Sequence, residues 1–350
     1  MPRRLLKLTA ALALAALGGC SAATVLNAAV SHKAFKAQDS LAYGRASRQK
    51  LDVYVPTAAS APQPDTHGHP VVVFFYGGSW QNGSRANYLF VGAALASRGY
   101  VTVVPDYRTW PDTAFPGFVD DAAAAVRWAR DHAAEFGGDP SRIFLMGHSA
   151  GAHIAMLLAT DGRYLAAQQM SKRDISGVIG LAGPYDFLPL QDATLEEIFP
   201  PAVRAASQPI NFVEGDEPPM FLAAGQRDTT VDPGNTDRLA AKARAAGDSV
   251  KVKHYPHVGH ALLVGAMAAP LRGFAPVLDD TSAFINDQLK RDGDRQPLPA
   301  RSSSAGAPDN VYQMRRRATA DMAPCAVNAA NPANHVDTRC AQQRGIGQTD

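Results

Sequence analysis

The pentapeptide Gly-His-Ser-Ala-Gly at residues 147–151 is the feature that most constrains how this chain can fold. An apolar, strand-like run at 143–146 precedes it, and a small, apolar, helix-like run at 150–160 follows it. A serine raised on a sharp turn between a strand and a helix needs glycines where side chains would collide. The pentapeptide alone also arises by chance in a chain rich in Gly and Ala, so the flanking runs carry the prediction. They predict a strand–turn–helix unit with Ser149 at the turn.

Strand-like and helix-like runs alternate through the middle of the chain. The predicted strands are 51–55, 71–75, 101–104, 143–146, 178–181, 220–224 and 250–255. The predicted helices are 87–96, 118–135, 150–160, 236–246 and 281–290. Several of the strand runs are continuously apolar, which is typical of strands buried on both faces of a parallel sheet. The pattern predicts an α/β domain with a mostly parallel central sheet flanked by helices.

Length and composition allow a full-sized hydrophobic core. The chain has 350 residues, of which 46% are hydrophobic and 19% are charged, enough for one large domain or two small ones. The formal net charge is only +2, and part of the positive charge lies near the two ends. This balance gives no indication of a nucleic-acid-binding face, and it leaves the oligomeric state open.

The first twenty residues have the pattern of a bacterial export signal. Arg3, Arg4 and Lys7 form a basic segment, and the apolar run at 8–17 is too short to span a bilayer as a helix. The sequence Leu-Gly-Gly-Cys that follows resembles a lipobox, in which Cys20 becomes the lipidated first residue. The alternative is an ordinary cleaved signal peptide with an incidental cysteine. Export with a lipid anchor predicts a place in the bacterial cell envelope, at the outer membrane or in the periplasm, whereas export without the anchor predicts a periplasmic or secreted protein.

The remaining cysteines agree with export. Cys325 and Cys340 form an even pair, which is a candidate disulfide in an oxidising compartment. No cysteine lies near Ser149 in the sequence, which argues against a cysteine nucleophile or a cysteine-ligated metal site.

Four segments follow from these patterns. They are a signal peptide at 1–20, a tether leading into a short helix at 21–40, the α/β domain at 41–292, and a low-complexity tail at 293–350. The tail is rich in Pro, Ser, Ala and Asn without a sustained period, and we expect it to be mostly disordered.

Two polar residues follow late strands and can complete a nucleophilic site. A serine hydroxyl is a weak nucleophile unless a base takes its proton, and that base needs an orienting acid. Asp228 comes just after the predicted strand at 220–224, and His260 comes after the one at 250–255. Because ligands bind at the carboxyl ends of the strands in open α/β sheets, we expect both residues to converge on Ser149.

Three nearby residues remain alternatives. Asp232 is the alternative acid, and His254 and His257 are the alternative bases. His254 lies within a strand pattern and is the weaker of the two, whereas His257 lies close enough to His260 to stay a candidate.

Acyl transfer also needs donors for the negative charge that develops on the substrate oxygen. The sequence Tyr-Gly-Gly-Ser-Trp at 76–80 follows the predicted strand at 71–75. Its glycines allow a close backbone approach, so Gly77 and Gly78 are candidate donors, and the N–H of Ala150 is a third. The alternative is a generic Gly-Gly turn.

Taken together, the chain resembles the α/β-hydrolases of the carboxylesterase and hormone-sensitive-lipase-like type over roughly residues 41–290. The motifs that carry the resemblance are Leu-Asp-Val-Tyr-Val-Pro at 51–56, Tyr-Gly-Gly-Ser-Trp at 76–80, Pro-Asp-Tyr-Arg at 105–108, Asp-Pro-Ser-Arg-Ile at 139–143 and Gly-His-Ser-Ala-Gly at 147–151. The set is specific, whereas no single motif is.

The resemblance implies a role for each candidate residue. Ser149 corresponds to the nucleophile, Asp228 to the acid and His260 to the base, in the chain order that this fold uses. Gly78 and Ala150 correspond to the oxyanion hole. The family needs no metal and no organic cofactor, and none is expected here.

One position departs from the family pattern. The family usually has a histidine where this chain has Tyr76, and that histidine helps to hold the oxyanion loop. We expect Tyr76 to brace the loop differently, with consequences for turnover or substrate preference.

These features predict a serine carboxylesterase acting on a small-molecule ester with a short acyl chain. Residues 182–219 between two strands leave room only for a small cap, which suits compact substrates. An aryl formamidase or another amide hydrolase with the same triad is an alternative, since the loop at 76–80 also resembles that of kynurenine-formamidase-like enzymes. A non-catalytic binding protein of the same fold is a third hypothesis.

Overall fold

The computed structural model describes residues 22–58 and 67–294. The predicted signal peptide with Cys20 and the predicted tail with Cys325 and Cys340 therefore lie outside the described residues. Within the described ranges, no helix combines the length and apolarity that crossing a membrane requires.

Eight strands and nine α-helices make up the described part of the chain. The strands are β1 (Phe35–Ala42), β2 (Lys50–Pro56), β3 (His69–Phe75), β4 (Val101–Pro105), β5 (Gly138–His148), β6 (Ile175–Leu181), β7 (Met220–Gly225) and β8 (Val250–Tyr255). The helices are α1 (Ala22–Ala28), α2 (Leu89–Ala96), α3 (Gly117–His132), α4 (Ala150–Thr160), α5 (Gly162–Ala167), α6 (Ala193–Ile198), α7 (Gly234–Ala246), α8 (His260–Gly265) and α9 (Val277–Asp294). Short 3₁₀ helices occupy His32–Ala34, Arg85–Tyr88, Ala133–Phe136, Lys172–Asp174, Pro201–Val203, Ala205–Ser207, Pro209–Phe212 and Ala269–Leu271.

The strands form one sheet in the order β1-β2-β4-β3-β5-β6-β7-β8. Strand β2 runs antiparallel to both of its neighbours, β1 and β4. The other six strands, in the order β4-β3-β5-β6-β7-β8, pair in parallel. Parallel neighbours need crossover connections, and the helices between the strands supply them. The predicted mostly parallel sheet flanked by helices is confirmed.

The centre of the sheet is the most deeply buried part of the molecule. Strand β5 pairs with β3 on one side, where Val73 faces Leu145, and with β6 on the other, where Leu145 faces Val178. Each residue of α4 is buried beside these strands, as a continuously small and apolar helix must be. The turn between β5 and α4, where Ser149 lies, therefore joins a central strand to a fully buried helix.

The predicted boundary between a tether and the domain at residue 41 is wrong. Strand β1 pairs with β2 from Phe35 to Ala42, so the sheet begins six residues earlier. Most residues of β1 are exposed, and its register shifts between Gln38 and Leu41. An exposed edge strand with a bulge lacks both the apolar run and the regular alternation by which strands are predicted.

The predicted small cap is present between β6 and β7. It contains α6 and the three 3₁₀ helices between Pro201 and Phe212. The cap joins the body of the domain by backbone hydrogen bonds, including one from the Phe115 N–H to the Ile198 carbonyl at 3.1 Å.

Candidate active site

Ser149 occupies a strained turn between β5 and α4. Its φ of 55° and ψ of −125° lie in a region that side chains rarely adopt. A Cβ at Gly147 would collide with the carbonyl oxygen of Gly151, and a Cβ at Gly151 would collide with that of Phe75. The two glycines of the motif are therefore required by the close approach of three backbone segments, and they present Ser149 at the carboxyl end of β5.

The structure brings Ser149, Asp228 and His260 together. His260 Nε2 lies 2.8 Å from Ser149 Oγ, and His260 Nδ1 lies 2.7 Å from Asp228 Oδ2. The loop after β7 carries Asp228, and His260 is the first residue of α8. Their side chains are largely shielded from water, with 1% of the Asp228 side chain and 16% of the His260 side chain exposed. The hydrogen-bond pattern assigns the Nδ1 proton of His260 to the bond with Asp228 and leaves Nε2 to accept from Ser149.

The orientation of Asp228 is fixed by its own loop. Asp228 Oδ1 accepts hydrogen bonds from the backbone N–H groups of Thr230 and Val231, each at 2.9 Å. The Asp228 N–H donates to the Gly225 carbonyl at 3.1 Å. The other carboxylate oxygen, Oδ2, is thereby turned toward His260.

The three alternative residues have other partners or positions. Asp232 Oδ1 accepts from the Gly234 N–H at 2.9 Å, and its Oδ2 lies 3.3 Å from the Arg238 guanidinium. His254 Nε2 lies 2.9 Å from Asp237 Oδ1 on α7. His257 is exposed on the loop after β8. The geometry therefore favours Asp228 and His260 as the partners of Ser149.

His148 supports the backbone of His260, a role that sequence reasoning missed. His148 Nε2 donates to the His260 carbonyl at 3.1 Å, and the two ring centroids are 4.7 Å apart. Burial, reinforced by the neighbouring His260, lowers the pKa of His148 to about 3, so the ring is neutral. Its place as the second residue of the pentapeptide is the only sequence signal that could have drawn attention to it.

The loop after β3, residues 76–85, contains the predicted oxyanion donors and is called the oxyanion loop; it packs against Ser149. A Cβ at Gly77 would lie 2.9 Å from Ser149 Cβ, so only glycine allows this approach. The Gly78 carbonyl accepts from the N–H groups of Gln81 and Asn82, at 3.0 and 2.9 Å, and closes a tight turn. Ala150, the first residue of α4, directs its N–H toward the same end of the sheet.

The backbone of Gly77 has a partner outside the cleft. Burial raises the pKa of the Tyr88 phenol, and a hydrogen bond from the backbone of Gly77 opposes that rise. Gly77 and Gly78 both stay predicted oxyanion donors.

A cleft of about 500 Å³ opens in front of Ser149. One wall is apolar and comes from the oxyanion loop and the cap: Trp80, Pro184, Phe187, Leu188, Pro189, Leu190 and Leu195. The lining also has a polar side, where Arg238 bridges Asp186 and Asp232, with Arg238 Nε 2.6 Å from Asp186 Oδ2. The cleft can hold a small amphipathic molecule with its reacting atom at Ser149.

His153 ties three elements together beneath this cleft. Its Nδ1 accepts from Trp80 Nε1 at 3.2 Å, and its Nε2 donates to the Ser207 carbonyl at 2.7 Å. Burial lowers the pKa of His153 to about 4, so it too is neutral. It joins the oxyanion loop and the cap to α4, and sequence reasoning gave no reason to single it out.

Across residues 22–58 and 67–294, no group of three or more His, Cys, Asp or Glu residues has the arrangement of a metal site.

The comparison with protein families decides the family. The BD-FAE family model matches residues 51–243, more than half of the chain, and this range contains Ser149 and Asp228. The chain belongs to the BD-FAE family. His260 lies beyond the matched range, so its assignment within this BD-FAE chain rests on the structure.

Named relatives of this BD-FAE protein are esterases. It is 30% identical to isoprenylcysteine alpha-carbonyl methylesterase ICME of Arabidopsis thaliana, with 72% of this chain and 64% of that protein covered. It is 31% identical to esterase LipC of Mycobacterium tuberculosis, with 69% of this chain and 64% of that protein covered. The chain thus spans less than two thirds of the length of these curated relatives.

Solved structures establish the fold of this BD-FAE protein. It matches esterase B from Lactobacillus rhamnosis with a TM-score of 0.65 at 20% identity, covering 83% of this chain and 98% of that one. It matches the carboxylesterase EstE1 from a metagenomic library with a TM-score of 0.62 at 21% identity, covering 76% and 94%. The fold is the α/β-hydrolase fold, as the sequence motifs indicated.

Proposed function

We propose that this protein is a serine carboxylic ester hydrolase that acts on small, short-acyl esters through an acyl-enzyme on Ser149. The observation that carries the proposal is the pair of hydrogen bonds joining Ser149 Oγ to His260 Nε2 at 2.8 Å and His260 Nδ1 to Asp228 Oδ2 at 2.7 Å. The esterase names of the relatives support the same reaction class.

Acylation begins with the transfer of one proton. His260 Nε2 takes the proton of Ser149 Oγ as that oxygen forms a bond to the ester carbonyl carbon. Asp228 holds the imidazole in the required tautomer and stabilises the imidazolium that forms. The carbonyl oxygen becomes an oxyanion, and the N–H groups of Gly78 and Ala150 are the donors proposed for it.

Two further stages complete the cycle, namely loss of the alcohol from the tetrahedral intermediate and hydrolysis of the acyl-enzyme. The carbon–oxygen bond to the alcohol breaks as His260 gives its proton to the departing oxygen. Water then enters, His260 removes a proton from it, and the resulting nucleophile attacks the acyl carbon. Release of the carboxylic acid returns the proton to Ser149.

The cleft supports the preference for small esters. Its volume of about 500 Å³ lies in the range of sites for small molecules, and the cap between β6 and β7 contains only short helices. The apolar wall from Trp80 to Leu195 suits an acyl or aryl group, and the polar side near Arg238 suits a more hydrated portion of the substrate.

A panel of p-nitrophenyl esters from acetate to palmitate tests the proposal. We expect the highest kcat/KM at the short end, and at least a 1,000-fold loss of kcat in Ser149→Ala. Ser282→Ala is a matched control, because Ser282 is a buried serine that bonds the Leu278 carbonyl on α9. Highest activity on the longest ester would contradict the substrate class, and full activity in Ser149→Ala would contradict the mechanism.

We further propose that the protein is exported and carries a lipid on Cys20. The support is the order of basic residues, apolar run and Leu-Gly-Gly-Cys in the sequence. Metabolic labelling with radioactive palmitate should mark the wild-type protein in the membrane fraction, whereas Cys20→Ala should stay unlabelled. Equal labelling of both proteins, or of neither, would count against lipidation at Cys20.

A further inference from the structure

The oxyanion loop between Tyr76 and Arg85 has an unusually strained backbone. Four of its residues have positive φ: Gly78 at 134°, Ser79 at 53°, Trp80 at 59° and Gly83 at 110°. Two of these carry side chains, for which such angles are costly. A strained segment keeps one conformation only when the surrounding structure over-determines it. The question is which groups hold this loop.

Tyr76 anchors the beginning of the loop. Its ring is fully buried and stacks on Tyr107 at 4.8 Å and on Tyr88 at 5.5 Å between centroids. The Tyr107 hydroxyl donates to the Tyr76 carbonyl at 2.7 Å, and the Tyr76 hydroxyl donates to Asp106 Oδ1 at 2.7 Å. A Cβ at Gly83 would press on the Tyr76 ring, so the end of the loop rests on the residue that begins it.

Arg48 reaches the loop from the turn between β1 and β2. Its Nη2 donates to the Tyr76 hydroxyl at 3.1 Å and to the Gly83 carbonyl at 2.9 Å. Its Nε donates to the Tyr107 carbonyl at 2.9 Å. One planar guanidinium thus joins Tyr76 and Gly83 of the loop to Tyr107, which follows β4. An ammonium group cannot reproduce this geometry.

Asp106 closes the arrangement at the far end of the loop. The Arg85 N–H donates to Asp106 Oδ1 at 2.7 Å, and the Arg85 guanidinium pairs with Asp106 Oδ2. Arg85 Nε also pairs with Asp52 Oδ1 at 2.7 Å. Two guanidinium groups and two carboxylates therefore balance in charge, which is the condition under which largely buried ions are tolerated.

We propose that Tyr76 and Arg48 are positioning residues that hold the oxyanion loop in its strained, donor-presenting conformation. Through Asp106 they tie the loop to the end of β4, and they make the hairpin β1–β2 part of the scaffold that holds the loop. Neither residue lines the cleft in front of Ser149. The inference rests on the proposed esterase function.

Tyr76→Phe tests the inference with the removal of a single oxygen. The ring stacking remains, and the bonds to Asp106 and Arg48 are lost. We expect kcat for a short p-nitrophenyl ester to fall about 10-fold or more, with KM and the pH profile of kcat/KM unchanged. A trifluoromethyl ketone, which forms a tetrahedral adduct with the serine and places its oxygen in the oxyanion hole, should bind more weakly by the same factor.

Tyr255→Phe is the matched control. Tyr255 is also buried, and its hydroxyl donates to a carboxylate, Asp280 Oδ2, at 2.8 Å. Its removal should lower Tm about as much as Tyr76→Phe does and leave kcat and the inhibitor affinity unchanged. Arg48→Lys is the second variant, which retains the positive charge but can donate to only some of the three acceptors of Arg48. It should therefore show a smaller loss of kcat and of inhibitor affinity than Tyr76→Phe.

Three outcomes would overturn the inference. They are kcat of Tyr76→Phe and Arg48→Lys within twofold of wild type, a fall in kcat without a matching loss of inhibitor affinity, and an equal loss of kcat in Tyr255→Phe. If Tyr76→Phe does not fold, Arg48→Lys decides alone by the same two readouts. Absence of ester hydrolysis by the wild-type protein would instead contradict the proposed function itself, and the inference with it.

Discussion

At the scale of single residues, the candidate site depends on how one carboxylate is aimed. Asp228 Oδ1 accepts from two backbone N–H groups, which fixes the carboxylate in its loop. Asp228 Oδ2 accepts from His260 Nδ1, which fixes the tautomer of the imidazole. An isosteric amide at this position should accept the two backbone hydrogen bonds less strongly, and its NH₂ group should donate to Nδ1 where Oδ2 accepts.

We expect Asp228→Asn to lower kcat by about 10³- to 10⁴-fold, because an amide stabilises the wrong tautomer of His260 and no longer balances its positive charge. Stopped assays with a short p-nitrophenyl ester measure this loss. The matched control is Asp237→Asn, which breaks the Asp–His pair between Asp237 and His254 outside the cleft. Retention of more than a tenth of the wild-type kcat by Asp228→Asn would show that Asp228 is not the orienting acid.

At the scale of elements, the site stands where β5 and α4 meet under the oxyanion loop. Gly151 in the first turn of α4 touches the backbone of β3, and no side chain fits between them. The turn that carries Ser149 is thus a close contact between the backbones of β3, β5 and α4.

Gly151→Ala should lower the free energy of unfolding by about 1–3 kcal/mol or more, because its methyl group would overlap the carbonyl oxygen of Phe75. Urea titration followed by circular dichroism measures the change. Gly162→Ala is the control, since Gly162 also lies in the first turn of a helix and its Cβ would meet nothing closer than 3.9 Å. Equal stability of the two variants would refute the close-contact explanation of the motif.

The sequence predicted the elements that carry local signals and missed those that depend on distant partners. The apolar run of β5 and the small residues of α4 predicted the strand–turn–helix unit. Strand β1 is exposed and irregular, so its pairing with β2 has no local signature. Arg48 acts across the sheet on Tyr76 and Gly83, contacts that only the folded hairpin creates.

At the scale of the whole molecule, the core keeps two histidines neutral beside the site. Burial is the main cause that lowers the pKa of His148 to about 3 and that of His153 to about 4. In the unfolded chain both rings bind a proton near pH 6.5. Between these values the unfolded state holds more protons, so the free energy of unfolding falls as the pH drops below about 6.5.

His153→Gln should remove part of this acid sensitivity. Between pH 7 and pH 5, the free energy of unfolding should fall by about 2 kcal/mol more in wild type than in the variant. The reason is that the variant lacks one imidazole that binds a proton only after unfolding. Urea titrations at the two pH values measure both differences. The same loss in wild type and variant would mean that folding leaves the pKa of His153 unchanged.

We propose that His260 and Asp228 activate Ser149 as the nucleophile of an ester hydrolase. Reaction of the folded protein with a fluorophosphonate, followed by peptide mass spectrometry, tests this activation at the serine itself. We expect one adduct per chain, located on Ser149, with loss of ester hydrolysis in proportion to its formation and no adduct in Ser149→Ala. Adduct formation on another residue, or full hydrolysis by a protein whose Ser149 is fully modified, would contradict it.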